Sequence, residues 1–382
     1  AADWFYLLRY VPFCLVPLLC PPVLMCVNFC MKAYEVPHTN KFIRRAKAAL
    51  AASPCIKVCI TGSFGKTSVK NFAAVILSEQ FRVIATPASY NTPVGIARAV
   101  NEGGLDCEIF LAEMGARRKG DIAALCDMVC PSVGVVTGVT CQHLETFGSL
   151  EAIRAEKGEL ARRVKTCVLG RSAAETEVND ALVMGRDFDA ENIALSTDGT
   201  SFSLRLPDGT IDVRVPLLGR HAAEDIALAA ALCAVLGMKK EQIAAGIAKI
   251  VPVPHRLERK EANGLLILDD GYNCNAEGAK NAVEVLKLAT GRKAVVTPGI
   301  VELGQLEEEV NGALGALFAG LDLVVLVGET LVLDVRNGYL AAGGDQSKLH
   351  IVPTLQAAQS LLAEELAAGD CVLFLNDLPD CY

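Results

Sequence analysis

The run Thr61-Gly62-Ser63-Phe64-Gly65-Lys66-Thr67-Ser68 limits what this chain can fold into more than any other part of it. It follows an apolar stretch, Ile56–Thr61, that reads as a strand, and it leads into residues 69–78, which read as a helix. Glycines in such a turn let backbone N–H groups converge on phosphate oxygens, and the positive end of the following helix faces the same anion. Lys66 can neutralise β- and γ-phosphates, and Thr67 can hold Mg²⁺. The commonest phosphate loop carries a further glycine where this chain has Ile60, but the strand before and the helix after supply the required context. Every residue from Thr61 to Ser68 is therefore expected at a nucleotide phosphate.

The rest of the chain fits an α/β fold around that loop. Strands at 82–86, 108–113 and 133–139 alternate with helices, the pattern of a mostly parallel sheet between helical layers. Between about 165 and 215, alternating runs such as 201–206 and the turn Pro207-Asp208-Gly209-Thr210 predict antiparallel hairpins. The alanine-rich stretch 222–236 returns to helix. Two prolines in Val251-Pro252-Val253-Pro254 mark a linker. Beyond it, strands at 265–268, 294–297, 323–327, 350–352 and 371–375 alternate with helices again. The expected organisation is a three-layer ATP-binding domain over 37–252 and a smaller Rossmann-like domain over 253–382.

Residues 1–36 differ in composition. Residues 11–31 carry no charge, and as a helix they reach about 30 Å, one hydrocarbon core. Pro12, Pro17, Pro21 and Pro22 lie inside the run, so a kinked, re-entrant or hairpin insertion is the alternative to a simple span, and a buried soluble hairpin the alternative to insertion. The run is longer than the apolar part of a signal peptide. Lys32, Lys41, Arg44, Arg45 and Lys47 crowd its C-terminal flank, which puts the remainder on the cytoplasmic face of the membrane. Residues 37–52 read as a separate amphipathic helix. Opening on Ala1-Ala2 suggests a lost upstream piece. A net charge of -8 excludes a nucleic-acid-binding surface, which needs clustered Lys and Arg. The 15 cysteines lack CxxC spacing and read as small buried hydrophobes.

Further motifs stand downstream of the loop: Asn91-Thr92-Pro93-Val94-Gly95, Glu113-Met114-Gly115-Ala116, residues 142–149 (QHLETFGS), Lys157-Gly158-Glu159, Gly219-Arg220-His221, Pro254-His255-Arg256-Leu257-Glu258 and Asp269-Asp270-Gly271-Tyr272-Asn273-Cys274-Asn275. In this order, and with the short phosphate loop opened by Thr61-Gly62, the chain resembles the Mur ligase family over roughly residues 55–380. Among its branches the chain is most similar to ligases that add D-alanyl-D-alanine to a UDP-muramoyl tripeptide, and the ending Asn376-Asp377-Leu378-Pro379-Asp380 resembles a membrane-anchored subgroup of them. The family's N-terminal sugar-binding domain has no counterpart in residues 1–36.

The resemblance implies an ADP-forming ligase acting through an acyl phosphate, with ATP and Mg²⁺ as cofactors, UDP-muramoyl peptide and D-alanyl-D-alanine as substrates, and a monomeric enzyme. It implies Lys66, His143 and Lys157 as catalytic groups, with Lys157 carbamylated by CO₂. Thr67, Glu113, His143 and Lys157 would surround the metal, and Asn91, His221, Arg256 and Asp270 would contact the nucleotide. The residues allow plainer readings: Lys157 as a solvated helix lysine beside glutamates, Arg256 as a surface partner of Glu258, and Tyr272, Asn273 and Asn275 as turn residues. Ala222 and Asp225 depart from the family text after Gly-Arg-His, and Ala276 stands where a proline is usual. A membrane-bound ligase of another polymer, of the poly-γ-glutamate type, and a nucleotide-binding scaffold are the competing functions.

Overall fold

Strand residues buried on both faces generate the first sheet. In β1 (Ile56–Thr61), Val58 and Ile60 enter one apolar cluster while Cys59 enters another on the opposite side. The same alternation runs through β3 (Ile109–Glu113), whose Ile109 and Leu111 face the first cluster and Phe110 and Ala112 the second, as a period of two requires. With β2 (Val83–Ala85), β4 (Val133–Val136), β5 (Thr166–Leu169) and β6 (Ala181–Val183) they form a parallel sheet in the order β2-β3-β1-β4-β5-β6. The computed structural model describes residues 11–140, 144–176, 178, 180–272, 275–301 and 303–375.

Helices cover both faces. The end of α1 (Val11–Ala52), α3 (Pro93–Gly103) and α4 (Asp121–Val129) pack on one, and α2 (Lys66–Leu77), α6 (Arg220–Val235) and α7 (Lys240–Ile247) on the other, while α5 (Leu150–Arg163) lies along β4. An antiparallel sheet, β7 (Asp189–Leu195), β8 (Thr200–Leu206) and β9 (Gly209–Val215), turns Phe202, Leu204 and Leu206 into the core. The antiparallel region thus begins at 189 and not at 165. The short strands β5 and β6 belong to the parallel sheet, as the unbroken apolar run Cys167-Val168-Leu169 allows.

The second large sheet runs β10-β11-β15-β12-β13-β14, with β10 (Glu258–Ala262) antiparallel to β11 (Leu265–Asp270) and the others, β12 (Lys293–Thr297), β13 (Leu323–Val327), β14 (Leu349–Val352) and β15 (Cys371–Leu375), parallel. Here α8 (Ala276–Leu286), α9 (Glu307–Leu317) and α10 (Val332–Ala341) cover one face and α11 (Leu355–Glu365) the other. Residues 251–253 lie outside helix and strand.

The N-terminal expectation needs correction. Instead of an inserted segment followed by a separate helix, α1 is one continuous helix from Val11 to Ala52. A proline removes one rung of the hydrogen-bond ladder while neighbouring rungs persist, so Pro12, Pro17, Pro21, Pro22 and Pro37 do not end it. Among the described residues no helix is long and apolar enough to cross a membrane, so a membrane-inserted segment is not supported there. Residues 1–10 of that segment, and the C-terminal residues 376–380, lie outside the described residues.

Candidate active site

β1 runs straight into the glycine loop, and the loop is pinned from below by the segment after β4. The Ser63 N–H donates to the Gly138 carbonyl at 2.8 Å, and the Thr137 hydroxyl reaches the carbonyls of Thr61 and Phe64. Gly62 has φ +148°, and a Cβ there would lie 2.1 Å from Thr137 Oγ1. Gly65 is left-handed, φ +72°, and caps α2, where a Cβ would meet Asp225 Oδ1 at 2.4 Å. Neither position accepts a side chain, because a Cβ would clash at both and both adopt a backbone conformation that residues other than glycine rarely take.

Side chains from the neighbouring strand β3, from α2 and α5, and from the loop before α3 complete the loop's surroundings. Glu113, the last residue of β3 and 1% exposed, accepts from Thr67 Oγ1 at 2.9 Å and from Asn91 Nδ2 at 3.1 Å, and Lys70 Nζ stands 3.5 Å away. The Lys66 ammonium donates to the Gly62 and Ser63 carbonyls at 2.9 and 3.3 Å. Burial lowers its pKa, Glu113 opposes that shift and Arg256 adds to it. On α5, Lys157 is only 3% exposed. Burial, and after it the nearby Lys66, bring its pKa down to about 7, so near neutrality a large fraction of this amine is uncharged. The reading of Lys157 as a solvated helix lysine is thereby corrected.

The opposite wall comes from the second sheet. Arg256 stands between two non-glycine residues in the left-handed region, His255 at φ +58° and Leu257 at φ +47°. Such conformations persist only when neighbours over-determine them. Here the His255 N–H donates to Glu258 at 3.1 Å, His255 Nδ1 and Asp269 Oδ2 are 2.9 Å apart, and the Leu257 N–H donates to Asp270 Oδ1 at 3.0 Å. Glu258 also pairs with Lys260, at 3.0 Å, while the Arg256 guanidinium lies over the Tyr272 ring, 4.3 Å from its centroid. Arg256 is thus aimed at the cleft and is not a surface partner of Glu258. His255, Glu258 and Asp269 converge closely enough to hold a cation, but the Lys260 ammonium already sits against both carboxylates.

Between these walls lies a cleft of about 530 Å³ lined by the glycine loop, Asn91, Glu113, Arg117, Lys157, Arg256, Tyr272 and Asn275. A second hollow shares Phe64, Gly65, Ser68, Arg256 and Asn275 with it and adds His221, Asp225 and Asp270. Burial raises Asp270 to about 6 and lowers His221 to about 4, leaving a neutral imidazole whose buried Nδ1 has no hydrogen-bond partner among the described residues. An orphaned buried nitrogen beside a phosphate loop fits a ligand that brings its own donor or acceptor, as a nucleotide base does. The hard oxygens of Thr67 and Glu113 fit Mg²⁺.

The sequence pattern of the Mur ligase middle domain matches residues 60–233, and that of the Mur ligase glutamate ligase domain matches residues 255–376. The chain belongs to the Mur ligase family. The UDP-N-acetylmuramoyl-tripeptide–D-alanyl-D-alanine ligase of Escherichia coli is 33% identical over 296 residues, which are 72% of this chain and 65% of that protein. The ligase of the same name from Mycobacterium tuberculosis is 29% identical over 372 residues, 87% of this chain and 72% of that one. This Mur ligase therefore spans a little under two thirds of the first relative's length. The MurF ligase of Thermotoga maritima, solved in complex with ADP, superposes with a TM-score of 0.79 at 25% identity, over 89% of this chain and 80% of its own.

In this Mur ligase the structure gathers Gly62 to Ser68, Asn91, Glu113, Lys157 and Arg256 at one cleft, with His221 and Asp270 in the adjoining hollow, whereas Thr61, expected at the phosphate, is buried behind the loop with its hydroxyl donating to the Met114 carbonyl at 3.0 Å. His143, Asn273 and Cys274 lie outside the described residues. Asn275 caps α8 by accepting from the Gly278 N–H at 2.9 Å, as a turn residue would. Three features escape sequence reading. Lys70 is fully buried beside Glu113; its only signal is a charge four residues after Lys66, on the helix face that buries Val69 and Ala73. Glu156 accepts from the Gly120 and Ile122 N–H groups at 2.8 Å each and so caps α4 from a neighbouring helix. Tyr272 OH meets Ser89 Oγ at 2.8 Å, joining the two walls, a contact between residues 183 apart that no local pattern announces.

Proposed function

We propose that this chain joins D-alanyl-D-alanine to a UDP-N-acetylmuramoyl tripeptide, with conversion of ATP to ADP and phosphate. The observation that carries this reading is the near-neutral amine of Lys157 in the same cleft as the phosphate loop and Glu113. A nucleotide switch or scaffold has no use for it. The names of the relatives from Escherichia coli and Mycobacterium tuberculosis supply the substrates.

The substrate carboxylate attacks the γ-phosphorus, ADP leaves, the incoming amine attacks the resulting acyl phosphate, and the tetrahedral adduct collapses to an amide and phosphate. Loop N–H groups and Lys66 hold the phosphates and stabilise the charge that develops on them. Thr67 and Glu113 would hold Mg²⁺, which would draw charge from the phosphate oxygens, and His143, the other ligand the resemblance implies, lies outside the described residues. Arg256 closes on the nucleotide from the far wall; Asp270 accepts from ribose hydroxyls and His221 meets the base. Asn91 orients Glu113. Lys157, uncharged, reacts with CO₂ to give a carbamate and a proton. Its new negative charge then attracts Lys66 and the metal, where an ammonium would repel both. Both walls come from one chain, which supports a monomeric active unit.

We also propose that α1 holds the enzyme at the cytoplasmic face of the membrane. Val23, Leu24, Met25, Val27 and Phe29 are each more than half exposed, a contiguous apolar surface that water does not favour, and basic residues follow it.

Phosphate release by the purified chain, measured with a panel of carboxylate and amine substrates, tests the reading. Release is expected only when both UDP-muramoyl tripeptide and D-alanyl-D-alanine are present, and Lys66→Ala is expected to lower it by about 100-fold or more. Brisk release without an acceptor would reject a ligase, and release with glutamate as acceptor would point to a different polymer.

A further inference from the structure

Lys70 is a fully buried lysine that the proposed reaction does not use. Its ammonium stands 3.5 Å from Glu113 Oε2 and donates to the Ala88 carbonyl. Ala88 is left-handed, φ +42°, a conformation an alanine holds only under outside constraint. The residues that follow it reach the site: Ser89 bonds Tyr272 of the opposite wall, and Asn91 donates to Glu113 Oε1. Thr67 and Lys70 thus share one carboxylate oxygen of Glu113 and Asn91 takes the other.

We propose that Lys70 is a positioning residue: an internal cation whose ion pair holds the buried Glu113 carboxylate in place for the metal and ties it to the Ala88–Asn91 loop. This rests on the reading of Glu113 as a metal carboxylate. With Thr67 and Lys70 on one oxygen and Asn91 on the other, the buried carboxylate is held in a single orientation, as a site for a divalent cation requires. A positive charge near a metal site would by itself repel the metal. Lys70 therefore has opposite expected effects as a mere charge and as a positioning group.

The test measures Mn²⁺ affinity in the presence of ADP by paramagnetic resonance, and ADP affinity alone in EDTA, on the full chain. For Lys70→Met, Mn²⁺ affinity is expected to fall roughly tenfold or more while ADP affinity in EDTA is unchanged. Lys70→Arg is expected to retain most of the metal affinity. Amide exchange over residues 87–91 is expected to rise in Lys70→Met. Mn²⁺ bound as tightly as in the wild type, or more tightly, would overturn the proposal. A wild type that binds ADP with no Mn²⁺ dependence would instead overturn the ligase reading itself, and this inference with it. If Lys70→Met does not fold, its combination with Glu113→Gln leaves no charge unpaired. Recovery of folding then supports the pairing, and no recovery overturns it.

Discussion

Lys157 owes its proposed chemistry to burial. Its pKa of about 7 makes the amine mostly neutral above pH 7 and mostly an ammonium below it, and only the neutral form reacts with CO₂. Enzyme stripped of bicarbonate is therefore expected to regain activity when bicarbonate is added at pH 8, and much less at pH 6. A ¹³C resonance from labelled bicarbonate should appear on the wild type and be absent from Lys157→Arg. Lys157→Ala is expected to lose about 100-fold or more in phosphate release and to recover with a short carboxylic acid, which can place an anion in the vacated space. Lys157→Arg should not recover, since a guanidinium stays charged and repels the metal. Full activity of Lys157→Ala without added acid would return the residue to a merely structural role.

At the scale of elements, α4 and α5 depend on each other. The first turn of α4 has N–H groups without partners inside the helix, and the Glu156 carboxylate, reaching over from α5, satisfies those of Gly120 and Ile122. Glu156→Ala is expected to cost about 1–2 kcal/mol, read as a lower urea midpoint. Glu156→Gln keeps an acceptor and should cost less. An unchanged midpoint for Glu156→Ala would show that water caps the helix as well as the carboxylate does. Since Lys157 is the next residue on α5, this cap also fixes the height at which the amine meets the cleft.

Across the whole molecule, the glycine loop follows β1 and Asp270 ends β11, so the carboxyl edges of a parallel and a mostly parallel sheet meet at the cleft and its adjoining hollow, where open α/β sheets bind ligands. Among the described residues, the apolar clusters of the first sheet take nothing from α1 before residue 42. Deleting residues 1–36 is therefore expected to leave ATP binding intact and to abolish flotation with anionic lipid vesicles. A full-length chain that stays with the soluble fraction in that assay would dispose of the membrane proposal.

The sequence alone determined the α/β class, the phosphate loop with its strand and helix, and most later strands, and its resemblance to the Mur ligases singled out Glu113, Lys157, Arg256 and Asp270, which line the cleft and its adjoining hollow. Each rests on a short-range regularity: side-chain period, glycine spacing, or a motif read within a few positions. Only the tertiary structure decided the continuity of α1, the membership of β5 and β6 in the parallel sheet, and the burial that lowers Lys157 to about 7. It alone revealed Lys70 against Glu113, Glu156 under α4, and Tyr272 against Ser89. The physical reason is common to all of these: desolvation and pairing are set by residues distant in the chain, and a lysine's letters are the same in water as beside a buried carboxylate.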